Sequence, residues 1–276
     1  MKLPRRQFLK TSLAASAAAT LGAVKLSAAT PSAPGREYYE LRAYRLKPGA
    51  SHALLDAYLE KAFLPALTAR GLGPVGVFTE VEIDKAAVTS KPKADTPVWV
   101  LIPHPSLESF ASVGAGLNAD PAVQQAGTAY LNAEKANPAF DRIDTWLYVA
   151  FAGMPKLEVP AFSKNQTPTR IFELRDYESH SELKALNKIA MFHAGEIDVM
   201  KELGMSPVFY GQSLAGPNLP HLRYVTAGPD LATHLANWKK FGTHPTWMKL
   251  KDDPQYANNT SKNTARFLVP AACSQI

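Results

Sequence analysis

The sequence predicts an α+β protein in which two copies of one βαββαβ unit lie in tandem and pack sheet to sheet within the chain. Three observations lead there: motifs repeated at a fixed offset, the same order of apolar runs in each copy, and glycines ending corresponding helices. Glu40-Leu41-Arg42-x-Tyr44 recurs as Glu173-Leu174-Arg175-x-Tyr177, an offset of 133. At the same offset Gly71-x-x-Pro74-Val75 recurs as Gly204-x-x-Pro207-Val208. Downstream the offset becomes 124, which pairs Pro105-x-Leu107 with Pro229-x-Leu231 and Asp120-Pro121 with His244-Pro245. The polar, proline-containing stretch 86–97 absorbs the difference as a longer loop in the first copy.

Taken in order, each copy opens on a strand, residues 37–46 and 169–178. A helix follows over 51–70 and 181–203, ended by Gly71 or Gly204, residues suited to a left-handed cap. A Pro-Val pair opens the next strand (74–83 and 207–214), and a third strand covers 98–102 and 222–226. A second helical region begins after Pro105 and Pro229, and a closing strand covers 143–150 and 264–269. That order is the ferredoxin-like unit, with both helices on one face of its sheet. The domains expected are 36–152 and 168–270, joined by the connection 153–166.

Strand side chains alternate, so Leu41, Ala43 and Leu174 point one way while Glu40, Arg42, Tyr44, Glu173, Arg175 and Tyr177 point the other. The apolar set is expected to face the helices. The Glu-Arg-Tyr sets are then expected on the open faces, which meet in a closed or nearly closed barrel with a partly polar interior. Buried carboxylates and guanidinia must be paired, so these six residues read first as an ion-pair network. As a ligand site, the arginines would clamp acidic or carbonyl groups and the tyrosines would stack or donate.

The formal charge is +6, but five of the 30 Lys and Arg residues fall in 1–29 with no acid, leaving 25 against 24 in the remainder. That near-neutral balance removes the electrostatic motive for binding nucleic acid or an anionic membrane. Arg5-Arg6-Gln7-Phe8-Leu9-Lys10, followed by an Ala- and Ser-rich apolar run to Ala29, reads as a twin-arginine signal peptide over 1–29. The expected address is periplasmic, the expected partner is the twin-arginine export machinery, and no stable membrane anchor remains after cleavage. That route resembles one that carries already folded cargo. Cys273 is the one cysteine, so neither a disulfide framework nor a Cys-rich metal site is available.

No metal site is indicated, because the histidines lack ligand spacing. His104, His221 and His244 adjoin prolines and read as turn or capping residues. His193 with Glu196 forms His-x-x-Glu on the first helix of the second copy, which places both on one helical face. The first copy has Glu60 and Phe63 there, so this candidate catalytic pair is not part of the repeat. Trp238 and Trp247 read as one core and one rim residue on a single last helix. No nucleophile elbow, phosphate loop or dinucleotide fingerprint occurs, and no motif indicates a cofactor.

Tyr38-Tyr39-Glu40-Leu41-Arg42-x-Tyr44, Ile171-Phe172-Glu173-Leu174-Arg175-x-Tyr177, Leu72-Gly73-Pro74-Val75-Gly76-Val77-Phe78, Ile102-Pro103-His104-Pro105, His244-Pro245-x-Trp247 and Ser274-Gln275-Ile276 together resemble the NIPSNAP family. That family sits in the dimeric α/β-barrel superfamily, and the match resembles its bacterial, twin-arginine-exported subset in two tandem copies. The resemblance implies the barrel fold firmly and a function only loosely. The leading expectation is a small, partly apolar ligand in or beside the barrel. The alternatives are a cofactor-free or haem-using oxidoreductase or monooxygenase of the superfamily, or a non-catalytic scaffold that forms homo-oligomers through exposed sheet edges. In the oxidoreductase, His193 would be the proton-transfer residue or axial ligand and Arg175 would stabilise developing negative charge. Haem enters by superfamily analogy alone.

The signal reading predicts that replacing Arg5 and Arg6 together by lysine leaves charge unchanged but stops export. Cell fractionation should then find the full-length precursor in the cytoplasm and no processed protein in the periplasm.

Overall fold

The computed structural model describes residues 35–276. The predicted signal peptide, 1–29, and most of the lead-in after it lie outside the described residues. The first half runs β1 (Tyr38–Arg45), helix α1 in three continuous stretches (Ala53–Tyr58, Leu59–Phe63, Leu64–Ala69), β2 (Gly76–Asp84), β3 (Thr89–Pro92), β4 (Val98–His104), α2 (Leu107–Asn118), α3 (Pro121–Ala126), α4 (Thr128–Leu131) and β5 (Arg142–Ala150). A short helix α5 (Ala161–Lys164) lies in the connection. The second half runs β6 (Ile171–Glu178), α6 (Glu182–Met191, Phe192–Glu196, Ile197–Glu202), β7 (Phe209–Ala215), β8 (His221–Gly228), α7 (Leu231–Thr243), α8 (Pro245–Asp252) and β9 (Lys262–Pro270).

Local chemistry at the element ends follows the repeat. Gly71 and Gly204 take φ of +72° and +68° just past α1 and α6, the left-handed conformation that stops a helix. Ser106 and Asp230, equivalent at the offset of 124, each cap the following helix by accepting a backbone N–H, from Ser109 at 3.1 Å and Thr233 at 2.7 Å. The middle stretches of α1 and α6, Leu59–Phe63 and Phe192–Glu196, are both π-helical and stand 133 residues apart.

The strands lie in the order β3-β2-β4-β1-β5-β7-β8-β6-β9, and β9 returns to pair with β2. The sheet therefore closes into an antiparallel barrel of eight strands, with β3 appended outside it. The seams between the halves are β5 with β7 and β2 with β9, the latter running from Phe78↔Pro270 to Val81↔Phe267. Both seams lie within one chain. Among the described strands β3 alone leaves an edge unpaired, and its four residues are all exposed.

The assignment of faces is reversed from the sequence reading. Leu41, Ala43 and Leu174 point into the barrel, in one cluster with Tyr39, Trp99, Phe172, Phe209 and Leu268. Tyr44 and Tyr177 point outward and join the clusters beneath the helices, the first with Leu55 and Phe63, the second with Phe192 and Met200. The Glu-Arg-Tyr sets thus face the helices, not each other. In a barrel of eight strands the inward side chains fill the interior, and here large aromatic and aliphatic residues from both halves do so. The Glu-Arg-Tyr side chains extend instead beneath the helices. The interior is partly polar all the same, through other residues: Arg223 of β8 pairs with Asp176 of β6, both almost fully buried.

Packing inside the barrel crosses between the halves. Tyr39 meets Phe209 edge-on with ring centroids 5.0 Å apart, and Phe78 meets Phe172 at 4.9 Å. Each half thus buries its inner face against the other. Phe209→Ala should therefore cost about 3–5 kcal/mol and lower one shared unfolding transition. Calorimetry resolving two transitions, only one of them shifted, would contradict this coupling.

Candidate functional site

On the outer face, each half carries the same buried network built from its first strand. In the first half Arg42 Nε donates to Glu40 Oε1 at 2.5 Å, Arg42 Nη1 donates to Tyr44 Oη at 3.2 Å, and His104 Nε2 lies 3.1 Å from Glu40 Oε2. In the second, Arg175 Nη1 donates to Glu173 Oε1 at 2.7 Å and Arg175 Nε to Tyr177 Oη at 3.1 Å. His234 Nε2 lies 2.8 Å from Glu173 Oε2. The histidines come from different places: His104 ends β4, while His234 sits on α7. Both are fully buried, so His104 is a core partner of Glu40 rather than the turn or capping residue expected. His244 does cap its helix, α8.

Burial works against ionising Glu40 and Glu173, but in each the histidine hydrogen bond and the arginine charge outweigh it and hold the carboxyl below its ordinary value. The network reading of the Glu-Arg-Tyr strands is consistent with this geometry.

What covers the network differs. Over Arg42 lies the ring of Phe63, 5.1 Å from the guanidinium, and Tyr58 stacks on Tyr130 with centroids 3.9 Å apart. That half is closed by aromatic packing. Over Arg175 the helices leave a cavity of about 390 Å³, lined among others by Arg175, Tyr177, Lys188, Glu196, Trp238 and Trp247. Trp238 lies 4.4 Å from the Arg175 guanidinium. Tyr177 Oη is 2.8 Å from Tyr224 Oη, which fixes the floor of the cavity.

Two sequence readings are corrected by this arrangement, and one residue is added to it. His193 and Glu196 do not share a face: Glu196 is buried in the cavity wall, whereas His193 is exposed and accepts from the backbone N–H of Gly153 at 3.4 Å. The cause is the π-helical stretch Phe192–Glu196, in which Gly195 takes φ +143°, so the i,i+3 rule for a regular helix does not hold. Trp238 and Trp247 are not on one helix; the chain breaks at His244, before Pro245, and folds back so that both line the same cavity. The residue the sequence reading missed is Lys188. Its Nζ donates to Glu196 Oε2 at 2.8 Å, with side chains only 5% and 1% exposed. Burial pushes the Glu196 carboxyl up, against the charge and hydrogen bond of Lys188.

A haem would need an axial ligand facing a porphyrin-sized space. No histidine or cysteine is among the residues lining this cavity, His193 points away from it, and His234 is committed to Glu173. This cavity therefore offers neither a histidine nor a cysteine to a haem iron. Among the described residues no cluster of His, Cys, Asp and Glu could hold a metal ion, and no helix is long and apolar enough to cross a membrane.

An eight-stranded antiparallel barrel with helices packed outside it defines the class: the chain is similar to dimeric α/β-barrel proteins, here closed within one polypeptide. The second half is more specific, for the NIPSNAP family model matches residues 172–275, and the chain carries a NIPSNAP domain. Residues 2–22 match the twin-arginine translocation pathway signal sequence, so the protein is exported. Among solved structures, a provisionally named monooxygenase from Lactobacillus acidophilus NCFM is similar with TM-score 0.50 and 7% identity, over 85% of this chain and 94% of that one. Another provisionally named monooxygenase, from Fusobacterium nucleatum, is similar with TM-score 0.50 and 7% identity over 86% and 93%. A NIPSNAP-like domain protein of Burkholderia xenovorans is 16% identical over 38% of this chain and 87% of that one, with TM-score 0.34. No curated protein matches the sequence. At these identities the likeness to solved structures speaks for the fold alone.

The depressed carboxyls set a pH dependence. Glu173 has a folded pKa below its ordinary value of 4.5, so the unfolded chain binds the proton first as pH falls. The stability it contributes is present above about pH 4.5 and lost below it. Glu173→Gln should destabilise the protein at pH 7 and flatten the acid limb of its stability curve. Urea melts from pH 7 to pH 3 that stay parallel to wild type would refute this.

Proposed function

We propose that the protein is a periplasmic binding protein of the NIPSNAP type, built of two ferredoxin-like units over 36–152 and 168–270. Its second unit takes a small, partly apolar ligand between helices and sheet. The observation that carries this reading is the asymmetry of the two halves over the same buried Glu-Arg-Tyr strand: Phe63 lies over Arg42, while a cavity of about 390 Å³ lies over Arg175. That volume falls within the range of small-molecule sites.

The lining supports a ligand class. Trp238 and Trp247 offer flat apolar faces, which suit an aromatic body. Arg175 spends Nε and Nη1 on Tyr177 and Glu173, and its side chain remains 21% exposed. Its remaining Nη2 suits an acidic or carbonyl oxygen. An aromatic acid is the simplest molecule that satisfies both walls.

The test is titration of the mature protein with 1-naphthoate and 4-hydroxybenzoate, followed by tryptophan fluorescence and native mass spectrometry. Saturable quenching and a one-to-one complex are expected. Trp247→Ala should raise Kd at least tenfold, about 1.4 kcal/mol. Quenching that never saturates, or that Trp247→Ala leaves unchanged, would remove the ligand reading.

A further inference from the structure

Lys188 and Glu196 are the part of the cavity that packing does not require. At the offset of 133 their counterparts are Leu55 and Phe63, both buried in the first half's core. Replacing a buried ion pair by apolar residues of similar volume is often neutral or stabilising. This chain carries that apolar solution in one copy and the ion pair in the other, on the same strand-and-helix frame.

The surroundings of Lys188 Nζ are specialised. It lies 4.8 Å from the ring centroid of Phe192, 5.4 Å from Trp247 and 5.5 Å from Tyr177. Its hydrogen-bond partners are Glu196 Oε2 at 2.8 Å and the weak acceptor Met191 Sδ at 3.3 Å. An ammonium has three protons to donate, so one direction is uncommitted to the described residues, and Lys188 lines the cavity. Arg175 also lies 5.5 Å from the Tyr177 ring, so both cations border one aromatic surface.

We propose that Lys188 forms a Schiff base with the aldehyde or ketone group of a ligand held in this cavity, with Glu196 as its proton carrier. The proposal rests on the ligand-binding reading above and names the reactive group of that ligand. A lysine walled by apolar surface is a setting in which an amine serves as a carbonyl nucleophile, and here a carboxylate is in reach to take its proton. Lys188 first passes a proton to Glu196. The Nζ lone pair then bonds to the carbonyl carbon, the carbon–oxygen π pair moves to oxygen, and Glu196 protonates that oxygen. Glu196 takes a proton back from nitrogen, giving a neutral carbinolamine. It returns that proton to the hydroxyl, which leaves as water while the nitrogen lone pair closes the C=N bond of a protonated imine. One water is released and no oxidant or reductant is consumed. Burial, which holds the Glu196 carboxyl up, eases its part in each transfer.

The probe is 4-carboxybenzaldehyde, which offers a carboxylate to Arg175 and an aldehyde to Lys188, trapped with sodium borohydride on the mature protein. Intact mass and peptide mapping should find one reduced adduct per chain, at Lys188, at probe levels that leave surface lysines unlabelled. Glu196→Gln should slow labelling at least about tenfold. The double variant Lys188→Leu/Glu196→Phe, which copies the first half, should fold with an unchanged melting temperature and give no singly labelled chain at the same probe level. Labels spread over surface lysines with Lys188 unmodified would overturn the proposal, as would an equal yield of singly labelled chain in the double variant at the same probe level. Terephthalate, the same shape without the aldehyde, separates the two readings. If it quenches Trp fluorescence saturably while Lys188 stays unlabelled, the imine fails and the cavity stands. If neither occurs, both fail.

Discussion

Closing the sheet on itself takes the barrel's inner face away from bulk water and helices cover the outer face of its central strands, and the remaining architecture answers to that constraint. An open sheet of four strands could leave one face wet. Here β9 returns to β2, the inner face becomes a core shared by both halves, and the outer face of the central strands lies under helices. A charge on a central strand must then be neutralised where it stands. Each half meets the demand in one way, an arginine two residues after a glutamate and a buried histidine on the carboxylate's far oxygen. The histidine arrives from β4 in one half and α7 in the other, so the requirement is for a donor at that point in space, not for a residue at one point in sequence.

The two halves complete that shared frame differently. The first half settles the space over its network with Phe63, Tyr58 and Tyr130, and gains an aromatic core. The second half puts Glu196 where Phe63 stands, Lys188 where Leu55 stands and Trp238 where Gly114 stands, and the same space becomes a walled cavity. The Arg223–Asp176 pair and the cross-half aromatic contacts keep the barrel shut from within. The two halves thus share their inner packing and differ in what covers the outer face.

Much of this was legible in the sequence because repeats and helix ends are local. The offsets of 133 and 124 place the strands, the helices and even the π-helical stretches in register, and the capping glycines mark where helices stop. The network members were legible too, since a charged triplet alternating along a strand must be paired. Which face it takes was not, because alternation gives two faces without naming the inner one; barrel closure decides it, and closure is a long-range event between β2 and β9. His193 looked like a partner of Glu196 because regular helical spacing was assumed, and Gly195 removes that regularity. Lys188 carried a readable signal: at a fixed offset it replaces a core leucine, and comparing the copies position by position would have found it.

Closure also bears on how such a protein reaches its compartment. The seam between β2 and β9 joins segments near opposite ends of the described chain, and Ile276 packs into the same interior cluster as Tyr39. Neither half can cover its inner face until the last strand is in place, and pairings this distant in sequence form slowly. A chain threaded out unfolded would expose its strand edges and apolar inner faces throughout that search. A twin-arginine signal, on the reading that its route carries folded cargo, lets the barrel close first. The cavity, with its buried lysine and carboxylate already paired, would then be exported already assembled.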